Sequence, residues 1–354
     1  PTHWRFTMNL TPCVPMSAYG VTGANAGVMS PAFAAENHPL FELVPKHNAQ
    51  FLFRSELRMP VMNFLTASGG DSLALVGPTG AGKTSVVEQI AARMRYPLRR
   101  VNAHSRMEMP ELIGQMSLQC DPATGDQQTV FAHGPLALAM KEGSIFLLDE
   151  ADFLDPAVMA GLNAVLEGGA LVLAENRGEV IVPHSNFRFI ITCNTRGQGD
   201  ETGLYTGTLS QNLASWDRYR MLEVSYLTKE EELAVLQATL PQVDATILST
   251  MIDVANGVRQ QFVGNPDQAL QAGQSGLTVT FSTRTLLRWA RIATTYSTAA
   301  SRQANFPFAC PLAQALREAL TNRTDKPMRL VIHTIAKDKF GTAWANDPVV
   351  APGV

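Results

Sequence analysis

Cysteine is scarce in this sequence, and its spacing excludes the structures that cysteines most often build. The 354 residues contain four, Cys13, Cys120, Cys193 and Cys310. They lie far apart, and no Cys-x-x-Cys pair or cysteine–histidine spacing joins them, so the sequence indicates neither a zinc site nor a disulfide framework. Isolated cysteines are typical of a reducing compartment, and we therefore expect a cytoplasmic protein.

Long apolar segments and basic runs are also missing. No run of about 18 or more apolar residues is present, and the first residues lack the pattern of a signal peptide, so we expect no membrane span and no targeting segment. Lys and Arg number 28 against 31 Asp and Glu, a formal net charge of -3, and basic residues form no run longer than a pair such as Arg99-Arg100. A dedicated nucleic-acid binder is usually more basic, which argues against nucleic acid as the partner.

The sequence does contain enough apolar material for more than one folded domain. Hydrophobic residues make up 45% of the chain and charged residues 17%, and two cores are the natural expectation for this length. Residues 1–40 are rich in Pro, Met, Gly and Ala and have no helix or strand period, which predicts an extended N-terminal arm. The rest divides near residue 226, into one domain over 41–226 and another over 227–354.

Residues 41–226 have the pattern of an α/β domain. Helical segments alternate with short apolar runs of the kind that form buried strands. The predicted strands are Leu73–Val76, Leu98–Asn102, Ser144–Leu148, Phe187–Thr192 and Met221–Val224. The expected fold is a mostly parallel sheet flanked by helices. Two inserted hairpins are also predicted, over Met116–Phe131 around a Pro122–Gly125 turn and over Leu171–Val182.

The strand pattern ends after Tyr226. Thr228-x-x-Glu231 has the form of a capping box that opens a helix. Helical spacing continues through Ile247–Val258 and again after Ser282, so residues 227–354 are expected to form a small, all-helical lid domain. The Gly- and Gln-rich stretch Gly264–Gly276 is predicted to be a loop between its helices.

A phosphate-binding loop directly follows the first predicted strand. The match to GxxxxGK[ST] is Gly77-Pro78-Thr79-Gly80-Ala81-Gly82-Lys83-Thr84, with Ser85 next in the helix that it opens. Glycines let successive N–H groups and the helix N-terminus point at an anion. Lys83 would then face the β and γ phosphates of ATP, and the Thr84 hydroxyl would bind Mg²⁺. Because pattern and context agree, we expect residues 77–85 to bind nucleotide.

Two carboxylates end the third predicted strand. The apolar run Ser144–Leu148 is followed by Asp149 and Glu150. Adjacent side chains at a strand end point in different directions. Asp149 can therefore reach the Mg²⁺, while Glu150 faces a water in line with the γ phosphate and takes its proton.

Three further polar residues complete the predicted hydrolytic machinery. Asn194 follows the next strand, where a neutral amide can orient the attacking water. Arg218, in Trp216-Asp217-Arg218, lies just before the last strand, and Arg284 begins a helix of the second domain. Charge that develops on the γ phosphate needs cations beyond the loop itself, so both arginines are candidate catalytic residues.

Together these motifs resemble those of the AAA+ ATPases of the MoxR group, over roughly residues 40 to 340. The resemblance identifies residues 77–84 as Walker A, Ile145–Glu150 as Walker B, Asn194 as sensor 1, Asp217–Tyr219 as an arginine-finger element and Arg284 as a sensor-2-like residue. Within that group, the segment Gly199–Thr208 most resembles the small ATPase subunits of aerobic cobaltochelatases.

The resemblance implies several properties beyond ATP hydrolysis. It implies a homo-oligomer in the form of a hexameric ring, with Arg218 reaching the nucleotide of the adjacent subunit, and a protein partner that carries a von Willebrand A domain. In related rings, the inserted hairpins line the pore or contact the partner, although ordinary surface hairpins would have the same sequence pattern. The leading hypothesis is a Mg²⁺-dependent motor that remodels or activates that partner.

Three other hypotheses remain open from the sequence. One is the ATPase subunit of a tetrapyrrole metal chelatase, in which other subunits hold metal and macrocycle; His104, His133 and His184 are too scattered to bind cobalt. Another is a nucleic-acid translocase or restriction-type motor, which stimulation of ATP hydrolysis by DNA or RNA would favour. The last is a scaffold that binds nucleotide without turnover, which the complete set of motif residues argues against.

Overall fold

The computed structural model describes residues 11–33, 36–120, 126–195, 208–209, 216–262, 276–303, 305–344 and 346–350. Its contacts divide the chain into two compact units. We call them the sheet unit, which runs to Pro78 and from Gly82 to Val224, and the helical unit, which takes in Thr79–Ala81 and the chain from Ser225 onward.

Strands and helices alternate through the sheet unit. The strands of the described residues are, in chain order, β1 (Thr11–Pro15), β2 (Met29–Ala32), β3 (Ser72–Val76), β4 (Leu98–Asn102), β5 (Gly114–Cys120), β6 (Gln127–His133), β7 (Ile145–Asp149), β8 (Leu171–Leu173), β9 (Glu179–Ile181), β10 (Arg188–Cys193) and β11 (Tyr219–Glu223). The α-helices of this unit are α1 (Ser55–Thr66), α2 (Lys83–Arg93), α3 (Met109–Ile113), α4 (Pro135–Glu142), α5 (Pro156–Gly161) and α6 (Asn163–Leu166).

The predicted parallel sheet is confirmed. Five strands pair in the order β11-β3-β10-β7-β4, and every pairing is parallel. The central strands β3, β7 and β10 are buried along their whole length, as expected when helices cover both faces of a parallel sheet. All five strands end at the same edge, so the residues that follow β3, β7 and β10 come together there.

Part of the N-terminal segment folds onto the sheet unit, which corrects the prediction of an extended arm. β1 and β2 form an antiparallel hairpin, and Tyr19 between them is buried, with its hydroxyl 2.9 Å from Ser30 Oγ. Phe33 stacks on Tyr96 with ring centroids 3.8 Å apart. Isolated aromatic residues anchor the segment to the sheet unit. Because they do not recur with a helix or strand period, the sequence pattern does not predict these contacts. Residues 1–10 and 34–35 of the predicted arm lie outside the described residues.

Both predicted hairpins are present. β5 pairs with β6 and β8 with β9, each antiparallel; the turn at 121–125 lies outside the described residues. A polar cluster joins the two hairpins, since Glu179 on β9 accepts hydrogen bonds from Lys141 (2.9 Å) and Asn176 (2.6 Å) and lies 2.6 Å from His133 at the end of β6. The hairpins are thus tied to each other and to α4.

The second unit is helical, as predicted. Its helices are α7 (Lys229–Thr239), α8 (Ala245–Gln260), α9 (Thr283–Arg302), α10 (Pro311–Ala319) and α11 (Lys326–Phe340). The capping box forms, with Glu231 N–H bonded to Thr228 Oγ1 at 3.3 Å and Thr228 N–H bonded to Glu231 Oε2 at 2.9 Å. Buried Trp289, Trp344 and Phe281 anchor the core. Most of the predicted loop at Gly264–Gly276 lies outside the described residues, and no described helix is long and apolar enough to cross a membrane.

Candidate nucleotide site

Two glycines shape the loop that follows β3. Gly77 donates its N–H to the carbonyl of Cys193 at 3.1 Å, and a Cβ at Gly77 would lie only 1.9 Å from the Val224 carbonyl oxygen. Gly82 precedes α2 with φ of 91°, in the left-handed region that other residues rarely occupy. Both positions therefore require glycine, which explains why the motif has glycine at positions 77 and 82.

Lys83 is held inside this loop. It is only 7% exposed, and its ammonium donates to the carbonyls of Gly77 at 2.6 Å and Pro78 at 3.0 Å and to Asn194 Oδ1 at 2.9 Å. Burial lowers the pKa of Lys83, and the nearby carboxylate of Asp152 offsets part of that effect. Lys83 and Asn194 were predicted from separate motifs, and the structure brings them into direct contact.

Thr84 and Asp149 also meet. The Thr84 hydroxyl donates to Asp149 Oδ1 at 2.7 Å, and the Thr192 hydroxyl donates to the same oxygen. Asp149 Oδ2 pairs with the guanidinium of Arg100. A hydroxyl and a carboxylate side by side are the hard oxygen donors that Mg²⁺ prefers, so these residues fit the cation that the loop implies.

Glu150 directly follows β7 and differs from Asp149 in its environment. Asp149 is 5% exposed, whereas Glu150 is exposed. The backbone of Glu150 is left-handed, with φ of 58° and ψ of 43°, a conformation that costs a non-glycine residue about 1 kcal/mol or more. Its N–H donates to Thr192 Oγ1 at 3.0 Å. Strain of this kind persists where surrounding contacts enforce it and is common at active sites.

Asp152 is a site residue to which the sequence reasoning gave no role. It is 1% exposed, and its Oδ2 accepts the backbone N–H groups of Asn194 at 2.6 Å and Thr195 at 2.9 Å. Burial raises the pKa of Asp152, and these two hydrogen bonds oppose that rise. The only sequence signal was a third carboxylate shortly after Asp149 and Glu150. Asp152 fixes the backbone that carries the Asn194 side chain.

The two predicted arginines come from other segments, Arg218 directly before β11 and Arg284 at the start of α9. Arg218 donates from Nε to Glu167 Oε1 at 2.7 Å, and the Glu167 side chain is 60% exposed. Arg284 is exposed in the first turn of α9, in the helical unit. Of the other loop residues, Ser85 lies in the first turn of α2, and Thr79–Ala81 group with the helical unit. The roles predicted for Arg218 and Arg284 stay predictions.

Two family profiles match the chain. Residues 72–207 match the AAA domain of the dynein-related subfamily, and residues 232–338 match the CbbQ/NirQ/NorQ C-terminal family. The first match spans the candidate site up to residue 207, and the second covers most of the helical unit.

Individual relatives agree with these matches. The aerobic cobaltochelatase subunit CobS of a Sinorhizobium species is 28% identical over 93% of this chain and 92% of its own length. An uncharacterized protein of Staphylococcus epidermidis is 34% identical over 44% of this chain and 56% of its own, and midasin of Giardia intestinalis is 29% identical over 53% of this chain and 4% of its own.

A crystal structure from Cytophaga hutchinsonii covers 84% of this chain and 91% of its own at 16% identity and a TM-score of 0.40, a likeness too distant to inform function. The two family matches and the CobS likeness along nearly the whole chain agree with one another. The chain therefore contains an AAA domain of the dynein-related subfamily followed by a C-terminal region of the CbbQ/NirQ/NorQ type.

Proposed function

We propose that this chain hydrolyses ATP with Mg²⁺, works as a ring of identical subunits and uses the energy to remodel or activate a protein partner. The observation that carries the proposal is the direct contact of Lys83 with Asn194 and of Thr84 with Asp149. These residues come from separate segments of the chain, and each is of the type that a nucleoside triphosphate site needs.

The hydrolytic step assigns one role to each residue. Lys83 exchanges its loop carbonyls for the β and γ phosphate oxygens of ATP, which are stronger acceptors for an ammonium. Thr84 and Asp149 would hold Mg²⁺, which when bound neutralises charge on those oxygens. Glu150, which is exposed at the end of β7, accepts a proton from the attacking water, and Asn194 orients that water.

Asp152 acts through Asn194. Because its carboxylate accepts the Asn194 and Thr195 N–H groups, it fixes the backbone that carries the Asn194 amide. Asp152→Asn keeps the shape but weakens this hold, so we expect a lower turnover with little change in nucleotide affinity. Asp152 is thus a positioning residue.

The ring assignment depends on Arg218, for which the resemblance to the MoxR group implies a role at the nucleotide of the adjacent subunit. Arg218→Ala should abolish hydrolysis, yet mixed assemblies of Arg218→Ala and Glu150→Gln should regain it, since each variant supplies what the other lacks. A mixture no more active than its separate components would contradict an arginine shared between subunits.

Glu150→Gln tests the chemistry most simply. The amide cannot accept the proton, so turnover should fall by about 10²–10⁴-fold, while binding of Mg·ATP is kept. Phosphate release is measured with Mg²⁺ and with EDTA. The control is Glu42→Gln, which changes an exposed glutamate distant in sequence from the site. Near-normal turnover by Glu150→Gln would contradict the role of Glu150 as the proton acceptor. Turnover by the unmodified protein in EDTA would contradict a requirement for Mg²⁺.

A second candidate function is the ATPase subunit of a tetrapyrrole metal chelatase. The likeness to the cobaltochelatase subunit favours it, since that likeness runs over 93% of this chain. Affinity capture with the Glu150→Gln variant in ATP separates the two, with Lys83→Met as the control that binds no nucleotide. A captured protein with a von Willebrand A domain and no macrocycle-binding subunit supports the first function; a tetrapyrrole-binding subunit supports the second.

We also propose a cytoplasmic location, from the isolated cysteines.

A further inference from the structure

Arg100 pairs with Asp149, the carboxylate of the candidate metal site, although no step above uses it. It lies on the edge strand β4, opposite Leu147 in register, two residues before the pair Asn102 and Asp149. From there its guanidinium bridges two carboxylates. Nη2 pairs with Asp149 Oδ2, and Nη1 lies 3.1 Å from Glu88 Oε1 on α2.

The three charged groups differ sharply in exposure. The Asp149 side chain is 8% exposed, that of Glu88 29% and that of Arg100 42%. A buried carboxylate that loses its counter-charge is strongly disfavoured, whereas a half-exposed guanidinium can return to water at little cost. If the Arg100–Asp149 pair opens, Arg100 is therefore the partner that moves, and Asp149 stays where it is.

Arg100 and a metal ion compete for the same oxygens. Asp149 Oδ1 already accepts the hydroxyls of Thr84 and Thr192, and Oδ2 is taken by Arg100. A divalent cation on Asp149 would lie within a few ångströms of the guanidinium, and like charges at that distance repel. The metal and Arg100 therefore cannot share this carboxylate, while Glu88 offers Arg100 a second partner within reach.

We propose that Arg100 is the resident counter-cation of Asp149, which holds the carboxylate in place without metal and yields it to Mg²⁺ by moving onto Glu88. Arg100 thereby sets the Mg²⁺ concentration at which the site loads. This inference rests on the proposed nucleotide and Mg²⁺ site and adds a control on it. It assigns a function to a residue that belongs to none of the motifs identified in the sequence.

Binding of Mn²⁺, a paramagnetic substitute for Mg²⁺, tests the proposal directly. Electron paramagnetic resonance measures free Mn²⁺ in titrations of the full chain with a non-hydrolysable ATP analogue. Arg100→Met removes the competing charge, so the Mn²⁺ dissociation constant should fall about three- to tenfold. Arg100→Lys keeps the competing positive charge but not the forked geometry, so it should bind Mn²⁺ less tightly than Arg100→Met does. Glu88→Gln removes the alternative partner and should weaken Mn²⁺ binding.

Thermal unfolding provides a readout that does not involve nucleotide. In EDTA, Arg100→Met leaves Asp149 without a cation and should unfold at a lower temperature than the unmodified protein. Addition of Mg²⁺ should raise that temperature more in Arg100→Met than in the unmodified protein, because a ligand that binds the folded state more tightly stabilises it more.

Three results would overturn the proposal. One is equal Mn²⁺ affinity in Arg100→Met and the unmodified protein, and another is an Arg100→Lys that binds as tightly as Arg100→Met. The last is a loss of nucleotide affinity in Arg100→Met measured in EDTA, which would make Arg100 a phosphate ligand. The Asp149→Asn variant distinguishes failure of this proposal from failure of the proposed function. Unchanged Mn²⁺ binding in Asp149→Asn would mean that Asp149 does not bind the metal at all.

Discussion

The two units bury charged side chains in different ways. In the helical unit, Glu232 is 0% exposed and accepts two hydrogen bonds from Arg259, at 2.9 and 2.7 Å, and one from Thr283 at 2.6 Å. In the sheet unit, the buried ammonium of Lys83 is satisfied by loop carbonyls and an amide. The buried carboxylate of Asp149 is satisfied by two threonine hydroxyls and a half-exposed arginine.

The difference distinguishes buried charges that stabilise the fold from buried charges whose partners a ligand can replace. Glu232 is paired with the buried Arg259 and the partly buried Thr283, so water or a ligand can replace these partners only by opening the core. The partners of Lys83 and Asp149 are weaker or more exposed, and phosphate oxygens or a metal ion can take their places. Charged residues in the helical unit should therefore matter for stability, and those of the site for binding.

Glu232→Ala should have the largest effect on stability. It leaves the Arg259 guanidinium buried without its carboxylate, which typically costs about 3–5 kcal/mol. Urea unfolding followed by circular dichroism gives the free energy of unfolding. Glu230→Ala, an exposed neighbour on the same helix, is the matched control and should lose about 0.5 kcal/mol or less. Equal losses in the two variants would show that burial of this pair is not what stabilises the unit.

Asp347→Asn should have the next largest effect. His333 Nδ1 lies 2.5 Å from Asp347 Oδ2, to which Trp344 also donates at 2.7 Å, and His333 and Asp347 are both fully buried. The amide can satisfy only part of this network, so the free energy of unfolding should fall by about 1–3 kcal/mol. Nucleotide affinity, measured by calorimetry on the same sample, should be unchanged; a coupled loss would contradict the separation of roles.

Lys83→Met should be nearly neutral for stability, within about 1 kcal/mol in either direction. Burial lowers the pKa of Lys83, which means that the folded state disfavours its charge, and a methionine of similar length removes that penalty. Lys229→Met is the control, since it breaks a half-exposed pair with Asp253 that is worth about 1 kcal/mol or less. A loss from Lys83→Met as large as that of Glu232→Ala would remove the distinction between the units.

The smallest effect is expected from Glu179→Gln, and it depends on pH. Partial burial opposes the ionisation of Glu179, but Lys141, His133 and Asn176 outweigh it and lower its pKa from 4.5 to about 2. The folded state thus binds fewer protons than the unfolded state between those values, so the stabilisation is present above pH 4.5 and is lost as pH falls towards 2.

Urea unfolding at several pH values checks this prediction. The stability difference between the unmodified protein and Glu179→Gln should be about 1 kcal/mol or less at neutral pH. It should shrink as pH falls below 4.5. A difference that does not change with pH would mean that the carboxylate charge is not what ties the two hairpins together.

The sheet and the first helix of the helical unit could be predicted because their signals are local. An apolar run of five or six residues identifies β3, β7 or β10, and Thr228 with Glu231 identifies the start of α7. The same holds for Lys83, Asp149 and Asn194, since parallel strands end at one edge and carry their following residues there.

The remaining features depend on contacts that local patterns do not encode. Arg100 reaches Asp149 through the register of β4 against β7. Asp152 matters because it accepts the backbone N–H groups of Asn194 and Thr195, which directly follow β10. The N-terminal hairpin is held by isolated aromatic residues such as Tyr19, which have no period. Register and long-range packing emerge only when the chain is folded.

Calorimetric titration with a non-hydrolysable ATP analogue and Mg²⁺ tests the central claim most directly. The claim is that Lys83, Thr84, Asp149 and Asn194 form one nucleotide site. One site per chain is expected in the unmodified protein, with affinity reduced about a hundredfold or more in both Lys83→Met and Asp149→Asn when Mg²⁺ is present. In EDTA, Asp149→Asn should bind like the unmodified protein, whereas Lys83→Met should still be impaired. Unchanged affinity in both variants would contradict the claim.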